Sequence, residues 1–108
     1  MLAPDGLDIA RTRLWIRSGR KIRIRYRNQQ MQDSESTIWP VIIGYAETVR
    51  LLAAWCELRQ EFRHFRTDRI VAAEFLDENH GCRLSDLRTR WKRHMEVSAE
   101  YGCRNCPV

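Results

Sequence analysis

The chain has 108 residues and a mass of 12.9 kDa, enough for one domain with a single core and too short for two. Hydrophobic residues at 44% and charged residues at 31% exclude a wholly disordered chain, and no run is long and apolar enough to span a membrane. The formal net charge is +5, and of the 19 basic residues only Lys21 and Lys92 are lysines, a guanidinium excess that suits phosphate or carboxylate recognition, although a G- and C-rich genome also favours arginine.

Met1 to Ala10 carries Pro4, Asp5, Gly6 and Asp8 where a signal peptide needs an apolar stretch, so a cytoplasmic location is expected. In that reducing compartment Cys56, Cys82, Cys103 and Cys106 are expected as free thiols. Leu7 to Ser18 fits a short amphipathic helix, with Leu7, Ala10 and Leu14 on one stripe, Ile9 and Ile16 beside it, and Gly19 as its stop. Lys21 to Arg27 alternates strictly and predicts a strand with Ile22, Ile24 and Tyr26 on the buried face and Lys21, Arg23, Arg25 and Arg27 on the wet one. Asn28 to Asp33 is polar enough for a hairpin loop but lacks the usual glycine.

A second strand is expected over Glu35 to Tyr45, with Pro40 at an edge or a bulge because proline cannot donate to a ladder. A third, over Thr48 to Cys56, is apolar through Leu51 to Ala54 and reads as the central one. Leu58 to Glu61 makes a turn, and Phe62 to Arg66 and Ile70 to Leu76 read as two further strands around a Thr67 to Arg69 corner. Phe62 and Phe65 are three apart, which alternation places on opposite faces, so one of them is expected at the surface unless a bulge re-aims it. Beyond Cys82 the period becomes helical, with Leu84, Leu87, Trp91, Met95 and Ser98 on one stripe, Arg88, Lys92 and Arg93 off it, and Ser85 as the expected N-cap. Gly102 to Val108 has neither period nor apolar mass and reads as a frayed tail. Five short strands at close spacing predict an α+β fold, a small antiparallel barrel flanked by two helices. The whole is one domain, with residues 1–80 forming the first helix and barrel and 81–108 the last helix and tail.

The run from Ala54 to Ile70, AWCELRQEFRHFRTDRI, interleaves Arg59, Arg63, Arg66 and Arg69 with Trp55, Phe62 and Phe65. Guanidinium forks beside ring faces can neutralise a phosphate and stack on a base together. The plainer reading of Arg59, Arg63 and Arg69 is a solvated edge paired to Glu57, Glu61 and Asp68. Trp55 reads as core before stacking platform. Arg23, Arg25 and Arg27 form a like-charged ladder whose simplest resolution is a carboxylate opposite each. The basic helix with Arg88, Arg90, Lys92 and Arg93 reads as a solvated face that covers the barrel through Leu87 and Trp91. A single CxxC, Cys103 to Cys106, with His80, Cys82 and His94 upstream lacks the second pair a zinc site wants, so no metal or other cofactor is expected. His64 has no paired base or nucleophile, and the chain is not read as an enzyme.

The same segment, preceded by the IRIRY strand and the proline-bearing strand, resembles the WYL domain, a ligand-sensing module found mainly at the C-terminal end of bacterial transcription regulators. The resemblance covers about Leu14 to Leu76 and is most specific in Trp55 to Arg59 with Arg63, Phe65, Asp68, Arg69 and Ile70, as in the branch that accompanies a DeoR-like helix-turn-helix. It implies a five-stranded Sm-like or SH3-like barrel that binds nucleic acid, such as single-stranded DNA, or a nucleotide, without catalysis. Carried over position by position, the implied ligand-binding residues are Arg59, Arg63, Phe65 and Arg69, with Tyr26 at the end of the first strand, while Asp68 organises the corner before the last strand. The sequence departs from the family pattern in two places. The triad that names the family falls on Arg50, Leu51 and Leu52, and Ser36 stands where many members carry an arginine before the strand proline. The chain starts at the first helix of the family with no helix-turn-helix ahead of it, so the expectation is a truncated sensor, a stand-alone one or one that has lost its output, with a helix-turn-helix partner protein as the possible source of DNA reading. The alternative is an interaction module that dimerises or docks on a protein without a nucleic-acid ligand.

Overall fold

The computed structural model of the chain describes residues 7–46 and 48–100. Helix α1 (Ile9–Ser18) is followed by five strands, β1 (Arg20–Arg27), β2 (Asp33–Ala46), β3 (Val49–Cys56), β4 (Glu61–Arg66) and β5 (Ile70–Asn79), and by helix α2 (Leu84–Glu100). A 3-10 turn, Thr67–Arg69, joins β4 to β5. The strands form one antiparallel sheet in the order β4-β3-β2-β1-β5, and among the described residues no ladder joins β4 to β5, so the sheet is open rather than closed by hydrogen bonds. The architecture is therefore α+β, five antiparallel strands with two helices. The centre of the order is β2; the expectation that β3 is central holds only in that β3 is internal, flanked by β2 and β4.

Local chemistry accounts for the element ends. The Asp8 carboxylate accepts from the Arg11 backbone N–H at 3.1 Å and caps α1, and Gly19 closes it in the left-handed region at φ 67°. The hairpin after β1 lacks a glycine, and Met31 takes the left-handed conformation in its place at φ 62°. Asn28 makes this tolerable: its Oδ1 accepts from the backbone N–H of Gln30 and of Gln32, both at 2.9 Å, and stiffens the loop from inside. Pro40 sits at a bulge, because the register against β3 shifts between Pro40 and Ile42, and it lies beyond Ile38, the last residue of β2 paired to β1. A missing N–H is harmless at that junction. Ser85 is not the N-cap of α2. The helix starts at Leu84, the Arg83 carbonyl accepts the first helical N–H from Leu87, and the Ser85 carbonyl accepts from Thr89 Oγ1.

The sheet buries both of its faces, which explains the continuous apolar run in β3. Leu52, Ala54 and Cys56 belong to one core with Ile22, Ile24, Tyr26, Ile38, Phe65 and Ile70, covered by α1 through Ile16 and Trp15. Ala53 and Trp55 belong to a second, with Val41, Phe62 and Leu87, covered by α2. The alternation along β3 thus assigns residues to two cores. Phe62 and Phe65 do lie on opposite faces, but neither is at the surface, being 5% and 4% exposed. Leu14, expected on the buried stripe of α1, is exposed, and the buried positions are Thr12 and Ile16. Thr12 satisfies its hydroxyl on the Asp8 carbonyl at 2.7 Å, so its buried position leaves no orphaned polar group. Trp15 Nε1 donates to the Leu76 carbonyl at 2.7 Å and ties α1 to β5.

Beneath α2, Trp91 Nε1 donates to His64 Nε2 at 3.2 Å. Burial first, and His94 second, hold the His64 imidazole below its ordinary value of 6.5; burial first, and Lys21 second, do the same for His80. The unfolded chain therefore binds protons near pH 6.5 that the folded chain refuses until lower pH, so stability falls as pH drops through this window. The urea midpoint is expected to decrease between pH 7 and pH 5. In His64→Gln, which keeps an acceptor for Trp91, that dependence is expected to be shallower. An unchanged pH profile would contradict the assignment. The depressed carboxylates Asp33, Glu57 and Asp68 act at lower pH and leave this window to the histidines.

Candidate functional site

Three pieces of chain meet where β1 ends. The hairpin loop and the start of β2 bring Asn28, Gln29, Gln30, Ser34 and Ser36; the turn from β3 to β4 brings Leu58 and Arg59; β4 brings Arg63 and Phe65. With Tyr26 and Cys56 they line a cavity of about 240 Å³. Tyr26 and Phe65 are each 4% exposed and form its floor, edge to face with ring centroids 5.2 Å apart. The Tyr26 hydroxyl accepts the Arg66 backbone N–H at 3.2 Å and so fastens β4 to β1 across the fold. Burial, only partly offset by this bond, pushes the Tyr26 phenol up from 10.0. These two rings shape the cavity and offer little face for stacking.

Beside the apolar Leu58 and the Cys56 thiol, the walls are amides, hydroxyls and guanidinia, and no carboxylate is among the lining residues described. Arg59, on a turn held by the left-handed Gln60 at φ 56°, has no ion-pair partner within 4 Å among the described residues. Arg63 is paired to Glu61 at 3.3 Å. Arg69 lines a second cavity of about 430 Å³ with Arg27, Met31, Asp68, Ile70 and Val71, which shares Asn28 and Gln29 with the first. Four of the five residues expected from the sequence therefore line one cavity, and Arg69 stands in the adjoining one.

Nearby carboxylates are engaged elsewhere. Asp68 binds Arg66 at 2.8 Å, organising the corner before β5 rather than pairing with Arg69. Glu57 pairs with Lys21 rather than Arg59. The like-charged ladder of β1 is compensated as the plainer reading expects, by Arg23 with Glu74, Arg25 with Glu35 and Arg27 with Asp33. Arg59 is left as local positive charge without an ion pair among the described residues, the arrangement that favours an anionic ligand, whereas Arg69 shares its cavity with the Asp68 carboxylate, which feels its charge without an ion pair to it.

Other candidates resolve as framework. Trp55 packs in the second core, edge to face with Phe62 at 5.2 Å, with the Arg90 guanidinium 5.5 Å over its ring. His64 accepts from Trp91 Nε1 beneath α2. Cys103 and Cys106 lie outside the described residues, and among those described no group of three or more His, Cys, Asp or Glu is placed to hold a metal. No described helix is long and apolar enough to cross a membrane. Sequence reasoning missed Gln29, Gln30, Ser34 and Leu58. Nothing in their local pattern marks them, because they reach the cavity only through the pairing of β1 with β2 and β2 with β3.

Residues 10–75 match the family described as the WYL domain. Among solved structures, Proteasome accessory factor B/C (PafBC) of Arthrobacter aurescens is similar to this chain over 68% of its length, with 27% sequence identity and a TM-score of 0.63. The chain spans 12% of the length of that structure. A comparison with curated proteins finds no match.

Proposed function

The chain belongs to the WYL domain family, and from that premise we propose that it is the ligand-sensing domain of a transcription regulator, binding single-stranded nucleic acid or a nucleotide in the cavity between Tyr26 and Arg59. The observation that carries this reading is the composition of the cavity wall: Arg59 and Arg63 among neutral amides, hydroxyls, Leu58 and Cys56, with no carboxylate among the lining residues described. Guanidinia supply charge-assisted bonds to phosphate, and Gln29, Gln30, Ser34 and Ser36 present donors and acceptors suited to a base edge or sugar. In the adjoining cavity Arg27 and Arg69 outnumber Asp68, whose carboxylate is engaged by Arg66, and this supports contact with a second phosphate and so an oligonucleotide over a mononucleotide. Tyr26 and Phe65 serve the site as its floor. The 3-10 turn between β4 and β5 and the long, bulged β2 support an Sm-like or SH3-like identity for the sheet. In this reading the domain works in a bacterial cytoplasm, binds without catalysis, and passes its response to a DNA-reading helix-turn-helix.

Fluorescence anisotropy with a labelled single-stranded oligonucleotide at several salt concentrations tests the proposal. Affinity is expected to fall as salt rises, with log K linear in log salt, and mononucleotides are expected to compete weakly. Absence of salt-dependent binding, together with a stable dimer by size-exclusion chromatography and light scattering, would favour the interaction-module reading instead.

A further inference from the structure

Glu57 stands two residues before Arg59 in the turn that carries it, yet its carboxylate is turned to other partners. Oε2 accepts from Trp39 Nε1 at 2.7 Å and pairs with Lys21 Nζ at 3.0 Å. The indole is itself fixed: its ring stacks on His80 with centroids 4.9 Å apart and planes 11° apart, and His80 is held by its backbone N–H on the Gly19 carbonyl at 3.0 Å. Lys21 is steadied on its far side by Glu78 at 3.7 Å. The shallow cavity that Glu57 lines shares Ser36 and Leu58 with the candidate ligand cavity, so the carboxylate lies next door to the anion site without lining it. Glu57 and Arg59 share the turn at residues 57–60, with one residue between them.

We propose that Trp39 and Lys21 are positioning residues of the anion site, which act by holding the Glu57 carboxylate away from Arg59. Glu57 is then a latent competitor for the guanidinium that the ligand phosphate needs, and the indole N–H is the group that keeps it sequestered. The inference rests on the functional reading above, since it requires that Arg59 contact the ligand. It separates sharply from a purely structural role, because the harm done by releasing the clamp depends on the charge of Glu57.

The test uses the labelled single-stranded oligonucleotide with the full chain, each variant first checked for a folded circular dichroism spectrum. Trp39→Phe keeps a ring against His80 and removes the donor together with part of the indole's volume; its affinity is expected to fall about three- to fivefold, the scale of a surface ion pair competing for one guanidinium, and the Glu57→Gln background separates the two losses. Trp39→Phe with Glu57→Gln is expected to return to wild-type affinity, since no carboxylate remains to compete. Trp39→Phe is expected to have no effect when added to Arg59→Ala. Lys21→Met, which keeps the aliphatic stem, provides a second way of loosening the clamp and is expected to weaken binding in the same Glu57-dependent manner. Wild-type affinity in both Trp39→Phe and Lys21→Met, or a loss that Glu57→Gln does not restore, would overturn the inference while leaving the ligand site in place. No binding by the wild-type chain, or an Arg59→Ala variant that binds normally, would instead remove the functional reading, and the inference with it.

Discussion

Phe62→Ala is expected to destabilise the fold by about 3–5 kcal/mol, as much as Phe65→Ala. The two rings are 5% and 4% exposed and lie in different cores. Phe65 meets Tyr26, Cys56 and the rest of the core under α1, whereas Phe62 lies between Trp55 and His94, at ring separations of 5.2 and 5.8 Å, under α2. A loss of that size is a large fraction of the total stability of a small domain. Denaturant titration followed by circular dichroism measures it. A Phe62→Ala cost within about 0.5 kcal/mol of zero, the value for a surface position, would mean that α2 does not cover the second face.

Arg59→Ala with Arg63→Ala is expected to weaken oligonucleotide binding by about fiftyfold at low salt, about 1 kcal/mol or slightly more for each lost charge-assisted contact. The slope of log K against log salt is expected to shrink by about 1.4, roughly 0.7 for each phosphate contact to a single strand. Of the two, Arg59 is expected to matter more, because it has no ion-pair partner to release, while Arg63 must share itself with Glu61 at 3.3 Å. Arg23→Ala is the control: this guanidinium is already matched to Glu74 at 3.6 Å and lines neither arginine cavity, so its affinity change is expected to stay within about twofold. Equal losses in the control and in the site variants would indicate a diffuse electrostatic effect instead of a site.

The strands were legible in the sequence because alternation and apolar runs report burial directly. Ile22, Ile24 and Tyr26 point where their spacing says, and the bulge at Pro40 follows from the missing donor. The second core was less legible. A rule with one buried and one wet face leaves one of Phe62 and Phe65 exposed, and only the docking of Leu87 and Trp91 on the far side of the sheet buries both. The helix stripe at Leu14 failed for a related reason: Thr12 is buried by satisfying its hydroxyl on the Asp8 carbonyl, which apolar periodicity does not register. At the site, residue types pointed to the arginine and aromatic run that holds Arg59, Arg63, Phe65 and Arg69, and the family resemblance singled out those four and added Tyr26. The pairing of carboxylates did not follow from proximity in sequence. Glu57 goes to Trp39 and Lys21, and Asp68 goes to Arg66, choices set by which strands lie side by side and by the geometry of the corner.

The most direct measurement is an amide nitrogen–proton NMR titration of the full chain with a short single-stranded oligonucleotide. Binding in the proposed cavity predicts the largest shifts at Asn28 to Ser36 and at Cys56 to Arg63, smaller ones near Arg69, and little change along α2 between Arg88 and Arg93. Shifts concentrated on α2, or none at any concentration that saturates comparable single-strand binders, would contradict it.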